Sequence, residues 1–178
     1  MISFKSYIAT SIDGFIAKKD GSIDWLHPKQ YNIENEDFGY SSFMKSIDCI
    51  VMGRITYEKV LSFDPYPYLE IPIIVISKNK NYQLNTKHDV RLFNQPLGEL
   101  KDYLIKNNFK NIYVDGGKLI QSFLTMSMLN ELTITQIPII LGTGIPLFGE
   151  LNHAIELKHR KTESFSNGFV QSEYELLK

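Results

Sequence analysis

Two stretches of the sequence place glycine where an apolar run gives way to a helical pattern, an arrangement that can hold a phosphate. One is Val114-Asp115-Gly116-Gly117-Lys118-Leu119-Ile120. Glycine lets a backbone approach a ligand closely and take conformations closed to other residues. The N–H groups and positive dipole end of a following helix favour an anion. An ordinary strand-to-helix turn uses the same residues, and this segment alone fits both descriptions. The other stretch is Met52-Gly53-Arg54-Ile55-Thr56-Tyr57-Glu58. Arg54 can grip a phosphate with two N–H groups in a geometry that lysine lacks. Thr56 adds a hydroxyl, although a plain helix start with a solvated arginine again has the same pattern. Two such turns in one short chain suit a ligand carrying several phosphates.

Ser77-Lys78 follows a third apolar run, Ile71 to Ile76. By itself it reads as a solvated loop. Beside Arg54 it supplies a second cation, and two cations near one pocket can bind the extra 2′-phosphate of NADP. The usual dinucleotide fingerprint, G-x-G-x-x-G opening a helix, is absent. Gly142-Thr143-Gly144 lacks that spacing and reads as a loop between strands, placed to line a cofactor. The four histidines (His27, His88, His153 and His159) are scattered and lack partners at ligand spacing, so no metal site is expected. There is no G-x-S-x-G nucleophile elbow.

These turns need strands and helices to position them. Alternation predicts an opening strand over Ile2 to Ala9, a turn at Asp13-Gly14, and a resumed strand at Phe15-Ile16-Ala17. A helix is expected from Glu34 to Lys45. Buried strands are expected at Cys49 to Met52 and Ile71 to Ile76, with Pro72 at the start or edge of the second. Ile55 to Leu61 reads as a short helix. Further expectations are a strand near Val90, a helix from Leu97 to Lys106 begun by Pro96, a strand over Asn111 to Val114 and a helix over Lys118 to Met126. Strands follow at Glu131 to Ile140, Ala154 to Leu157 and Phe169 to Tyr174. The pattern predicts an α/β domain over residues 1–178, with a mainly parallel central sheet and an antiparallel hairpin at its C-terminal edge. Ligands in such sheets bind beyond the carboxyl ends of strands, just after Met52, Ile76 and Val114.

With 178 residues, 43% of them hydrophobic and 22% charged, the chain can bury a core without staples. A net charge of −1 gives no electrostatic case for nucleic acid or an anionic membrane. The single cysteine, Cys49, lies in an apolar run and reads as a buried thiol in a reducing compartment. No leader pattern or membrane-spanning stretch stands out, so a cytoplasmic location is expected.

Taken in order, Ala9-Thr10-Ser11-Ile12-Asp13-Gly14-Phe15-Ile16-Ala17, Val51 to Glu58, Val75 to Lys78, Tyr113 to Gly117 and Pro138 to Phe148 resemble the dihydrofolate-reductase-like family. The match looks closest to the bacterial reductase domain of riboflavin biosynthesis. The resemblance implies the family's three-layer fold, with helices flanking the sheet and NADPH across its carboxyl edge. Gly53, Arg54 and Thr56 match the grip on the adenosine side, and Ser77 and Lys78 the neighbourhood of the 2′-phosphate. Gly116, Gly117, Lys118 and Leu119 match the segment under the pyrophosphate, while Ala9, Ile16 and Ala17 match positions flanking the nicotinamide. The implied activity is hydride transfer to a pterin-like or aminopyrimidine-ribose substrate. Asp37 falls where dihydrofolate reductases hold the pterin with a carboxylate, with Glu36 and Glu34 as neighbours; a solvated acidic helix start fits equally. Asp24-Trp25 stands in place of the family's Pro-Trp pair. Asp13 is expected to shape the turn before Phe15. The family also implies a homodimer through edge strands. A binding module that holds NADP without turnover is the competing expectation.

Overall fold

In the computed structural model, which describes residues 2–26, 31–84 and 88–177, the chain is organised on one eight-stranded sheet. Its strand order is β5-β4-β3-β6-β1-β7-β10-β9. The strands are β1 (Ser3–Ser11), β3 (Cys49–Gly53), β4 (Ile73–Ile76), β5 (Val90–Phe93), β6 (Asn111–Asp115), β7 (Glu131–Ile137), β9 (Leu157–Ser164) and β10 (Val170–Leu176). Six of them run parallel, and β10 pairs antiparallel with both β7 and β9. A separate two-stranded ribbon joins β2 (Phe15–Ala17) to β8 (Ile145–Pro146). The mainly parallel sheet and its C-terminal hairpin are therefore as expected. His27 lies outside the described residues.

Helices cover both faces of the parallel strands, and the side-chain alternation shows why. Cys49, Val51, Ile74, Ile112 and Val114 point into one core, which α3 (Leu100–Lys106) and α4 (Gly117–Thr125) close with Leu100, Leu104, Leu119, Ile120 and Phe123. Ile50, Met52, Ile73, Val75 and Tyr113 point the other way. They meet Phe43 of α1 (Tyr40–Lys45) and Tyr57 and Val60 of α2 (Arg54–Val60). Strands buried on both faces are uninterruptedly apolar, as Cys49 to Met52 is.

Several boundaries differ from the sequence expectation. The helix expected from Glu34 occupies only Tyr40–Lys45. Asn35, Phe38 and Gly39 all have positive φ, which no α-helix contains. The expected strand at Ala154 is shifted to Leu157–Ser164, all of whose residues are exposed. That strand forms by pairing with β10, and no buried face gives it an apolar period. The strand expected to reach Ile140 stops at Ile137, before Pro138, which has no N–H for the ladder. Pro72 precedes β4, and its carbonyl accepts from Ile50 N–H at 2.9 Å.

One detail of the topology matters for the site. Strands β3 and β6 are neighbours, with Met52 opposite Asp115. Their following helices, α2 and α4, leave to opposite faces of the sheet. Such a switch point opens a crevice at the carboxyl ends of the two strands.

Candidate active site

Both glycine turns stand at this crevice. Gly53 ends β3 and precedes α2. A Cβ added there would meet nothing within 4 Å, so the space beside it is open. Gly116 ends the β6 side with φ 96° and ψ 129°, a backbone that other residues rarely adopt. A Cβ on Gly116 would also overlap Thr56 Oγ1. Glycine is thus required twice at position 116, by conformation and by contact with the first turn of α2. The two sequence-distant motifs form one rim.

The rest of the rim is built around α4. Gly117 begins this helix under the β2–β8 ribbon, and a Cβ there would overlap Ile16 Cδ1. Ala17 is buried and pairs with Ile145. Gln121 of α4 donates to the carbonyls of Pro146 and Leu147 at 3.0 and 3.2 Å, tying the ribbon to the helix. Lys118 is exposed at the helix start, whereas Leu119 turns its side chain into the core. The leading N–H groups of α4 have no acceptor within the helix and lie at its positive end. Asp13 carboxylate oxygens accept from Leu141 N–H at 3.1 Å and Gly142 N–H at 2.7 Å, joining the turn after β1 to the loop before β8. Its reach across the fold exceeds the local turn expected of it.

The basic residues sit farther out. Arg54 Nη1 donates to both Glu58 oxygens at 2.8 and 3.0 Å, and its guanidinium lies 5.8 Å from the Tyr82 ring centre. Both bonds use Nη1, so the other arm of the fork serves no carboxylate in this pair. Ser77 is buried after β4, where its hydroxyl accepts from Asn79 N–H at 3.1 Å; Lys78 beside it is exposed. The donor set fits a dinucleotide: glycines and helix N–H groups at the crevice, cations and a hydroxyl beyond it. Among the described residues no group of three or more His, Cys, Asp or Glu is placed to hold a metal ion.

A cavity of about 360 Å³ lies between the carboxyl halves of β1 and β7 and the segment before α1. Ala9, Tyr31, Phe38, Ile137 and Phe169 supply apolar and aromatic walls, and Glu36 and Asp37 carboxylates stand on it. Trp25 is buried in the same cluster, and its Nε1–H has no hydrogen-bond partner. A buried donor without a protein partner marks a place for a water. Asp37 is exposed and accepts from Gly39 and Ser41 N–H, each at 2.9 Å. Hydrogen bonds from Ser41, then Gly39, hold its carboxyl below the usual range. It is ionised near neutrality, so it can anchor a donor-bearing ring but not release a proton.

Asp115 has the opposite character, and the sequence pattern gave it no role beyond its place in the turn. It sits between the glycine turns, facing Tyr40, Tyr68 and Tyr113. Burial pushes its carboxyl up to about 6, against the Gly116 N–H, which favours the charged form. Burial raises the three tyrosine hydroxyls too, so they remain protonated. A carboxyl poised near neutrality at a crevice can hold or pass a proton. The signal in the sequence was a carboxylate closing an apolar strand immediately before two glycines.

Comparison with known proteins identifies the family and the fold. The model of the RibD C-terminal domain matches residues 5–171. The chain belongs to the RibD C-terminal domain family. The uncharacterized protein YwjB of Bacillus subtilis is 38% identical over 172 residues, covering 94% of each chain. A putative riboflavin biosynthesis protein from Shewanella sp. PV-4 superposes with a TM-score of 0.91 at 37% identity, covering 99% of this chain and 100% of the other. Dihydrofolate reductase from Enterococcus faecalis, solved in complex with NADP(H), has a TM-score of 0.68 at 17% identity over 99% and 97% of the chains. That likeness concerns the fold. RibD-family membership and the dihydrofolate-reductase-like architecture are thus both established for this chain. No helix among the described residues is long and apolar enough to cross a membrane.

Proposed function

We propose that this protein is an NADPH-dependent reductase whose dinucleotide spans the two glycine turns and whose acceptor occupies the neighbouring cavity. The observation that carries this reading is the contact between Gly116 and Thr56, which makes the two turns one crevice at the switch point. Bound there, NADPH supplies a hydride to a C=N or C=O group. Gly116, Gly117 and Lys118 hold the pyrophosphate against the start of α4, while Gly53 leaves room at the end of β3. Leu119 contributes its backbone, since its side chain is core. Arg54, Thr56, Ser77 and Lys78 take the adenosine side and its 2′-phosphate. Ala9, Ile16 and Ala17 flank the nicotinamide. Asp37 anchors the donor edge of a pterin-like or aminopyrimidine-ribose ring, and Asp115 carries the proton that the reduced acceptor needs.

The test is thermal stabilisation by NADPH against NADH, followed by NADPH oxidation with dihydropteridine and aminopyrimidine acceptors. A ligand bound only by the native state raises stability by mass action. A clear preference for NADPH, with turnover of a planar heterocycle, is expected. Equal shifts from both cofactors remove the assignment of 2′-phosphate recognition. Binding without turnover of any acceptor turns the protein into an NADP-binding module. The same reading includes a homodimer through the exposed β9 edge, which sedimentation as a monomer would refute.

A further inference from the structure

The segment carrying Asp37 is held by a hydrogen-bond clamp whose other side lies on the sheet. Phe38 has φ 58°, a left-handed conformation that a bulky aromatic residue rarely takes. Its carbonyl accepts from Tyr7 Oη at 2.5 Å and from Gln171 Nε2 at 3.1 Å. Gln171 Nε2 also lies 2.6 Å from Tyr7 Oη and 2.9 Å from Thr135 Oγ1. A carbonyl can only accept, so the amide group facing Phe38 must be the NH₂. Tyr7 and Gln171 lie on β1 and β10, strands that β7 separates. The Phe38 ring is fixed as well, with centroids 4.9 Å from Phe165 and 5.1 Å from Phe169. A strained residue persists only where its surroundings over-determine it, and such residues gather at ligand clamps.

We infer that Tyr7 and Gln171 are positioning residues for the substrate cavity: by clamping the Phe38 carbonyl, they hold the adjacent Asp37 carboxylate at its wall. This rests on the proposed acceptor site. Both residues are remote from the glycine turns in the chain; Gln171 acts through Phe38, whereas the Tyr7 ring also stands on the cavity wall. Gln171 is 7% exposed, and burial pushes the Tyr7 hydroxyl up to about 12, so it keeps its proton as donor at any working pH.

Tyr7→Phe removes only the hydroxyl and keeps the ring contacts to Tyr40 and Phe43. Gln171→Met removes the amide at similar volume. Two readouts apply to each variant: amide hydrogen exchange at Gly39 and Ser41, the donors to Asp37, and affinity for a diaminopteridine measured beside affinity for NADP⁺. The inference expects faster exchange at both amides and roughly tenfold weaker diaminopteridine binding, the scale of a lost hydrogen bond. NADP⁺ affinity should stay within about twofold, far below that scale. Unchanged exchange at Gly39 and Ser41, or equal loss of both ligands, overturns it. If the wild type fails to bind diaminopteridine, the acceptor site falls; the exchange readout still decides the clamp.

Discussion

Replacing Gly116 with alanine tests the junction between the two turns. Its φ of 96° and ψ of 129° cost a residue with a Cβ about 1–3 kcal/mol. Overlap of the new methyl with Thr56 Oγ1 adds about 1–3 kcal/mol, as overpacking does elsewhere. The sum is about 2–6 kcal/mol, and a midpoint of about 4 kcal/mol lowers Tm by roughly 8–16 °C in a chain of this size. The two contributions separate in a double-mutant cycle with Thr56→Ala. Removing Oγ1 leaves the nearest Thr56 atom, Cβ, 3.3 Å away. The second substitution should therefore recover the overlap portion, about 1–3 kcal/mol, and none of the backbone portion. Urea denaturation of the four proteins measures both. A Gly116→Ala loss below about 1 kcal/mol refutes the conformational argument. A cycle with no coupling refutes the contact.

Asp115→Asn should stabilise the protein while lowering turnover. The native carboxyl is raised from 3.8 to about 6, so it favours the protonated form relative to the unfolded chain. Stability is therefore lost as pH rises from about 4 to about 6 and is level above that. The loss is at most about 3 kcal/mol, and it should vanish in Asp115→Asn during denaturation across that window. Arg54→Ala should reduce the preference for NADPH over NADH, read by competitive binding of the two. Asp13→Ala removes the acceptor for Leu141 and Gly142 N–H, so hydrogen exchange at these two amides should accelerate while the β6 amides keep their protection.

What was legible in the sequence was whatever a local period or a special residue encodes. Cys49 to Met52 announced a strand covered on both faces, and Gly53 and Gly116-Gly117 announced turns at strand ends. The mainly parallel sheet follows from strands alternating with helices, whereas the strand order comes only with the folded chain. Strand β9 was hidden because all eight of its residues are exposed. Its partner strand β10, not its composition, holds it in place. The helix expected at Glu34 begins only at Tyr40 because Asn35, Phe38 and Gly39 have positive φ, and the Phe38 carbonyl bonds to Tyr7 far upstream and Gln171 far downstream. Asp115 was visible as a residue, but its raised carboxyl depends on burial, which only the folded chain produces.

The most direct measurement is an NMR titration with NADPH that follows the backbone amides of Gly53, Thr56, Gly116 and Gly117. If the two turns form one dinucleotide cleft, all four shift together along a single binding isotherm, and NADH moves them far less at equal concentration. Shifts confined to one turn, or to the exposed β9–β10 face, would contradict that claim.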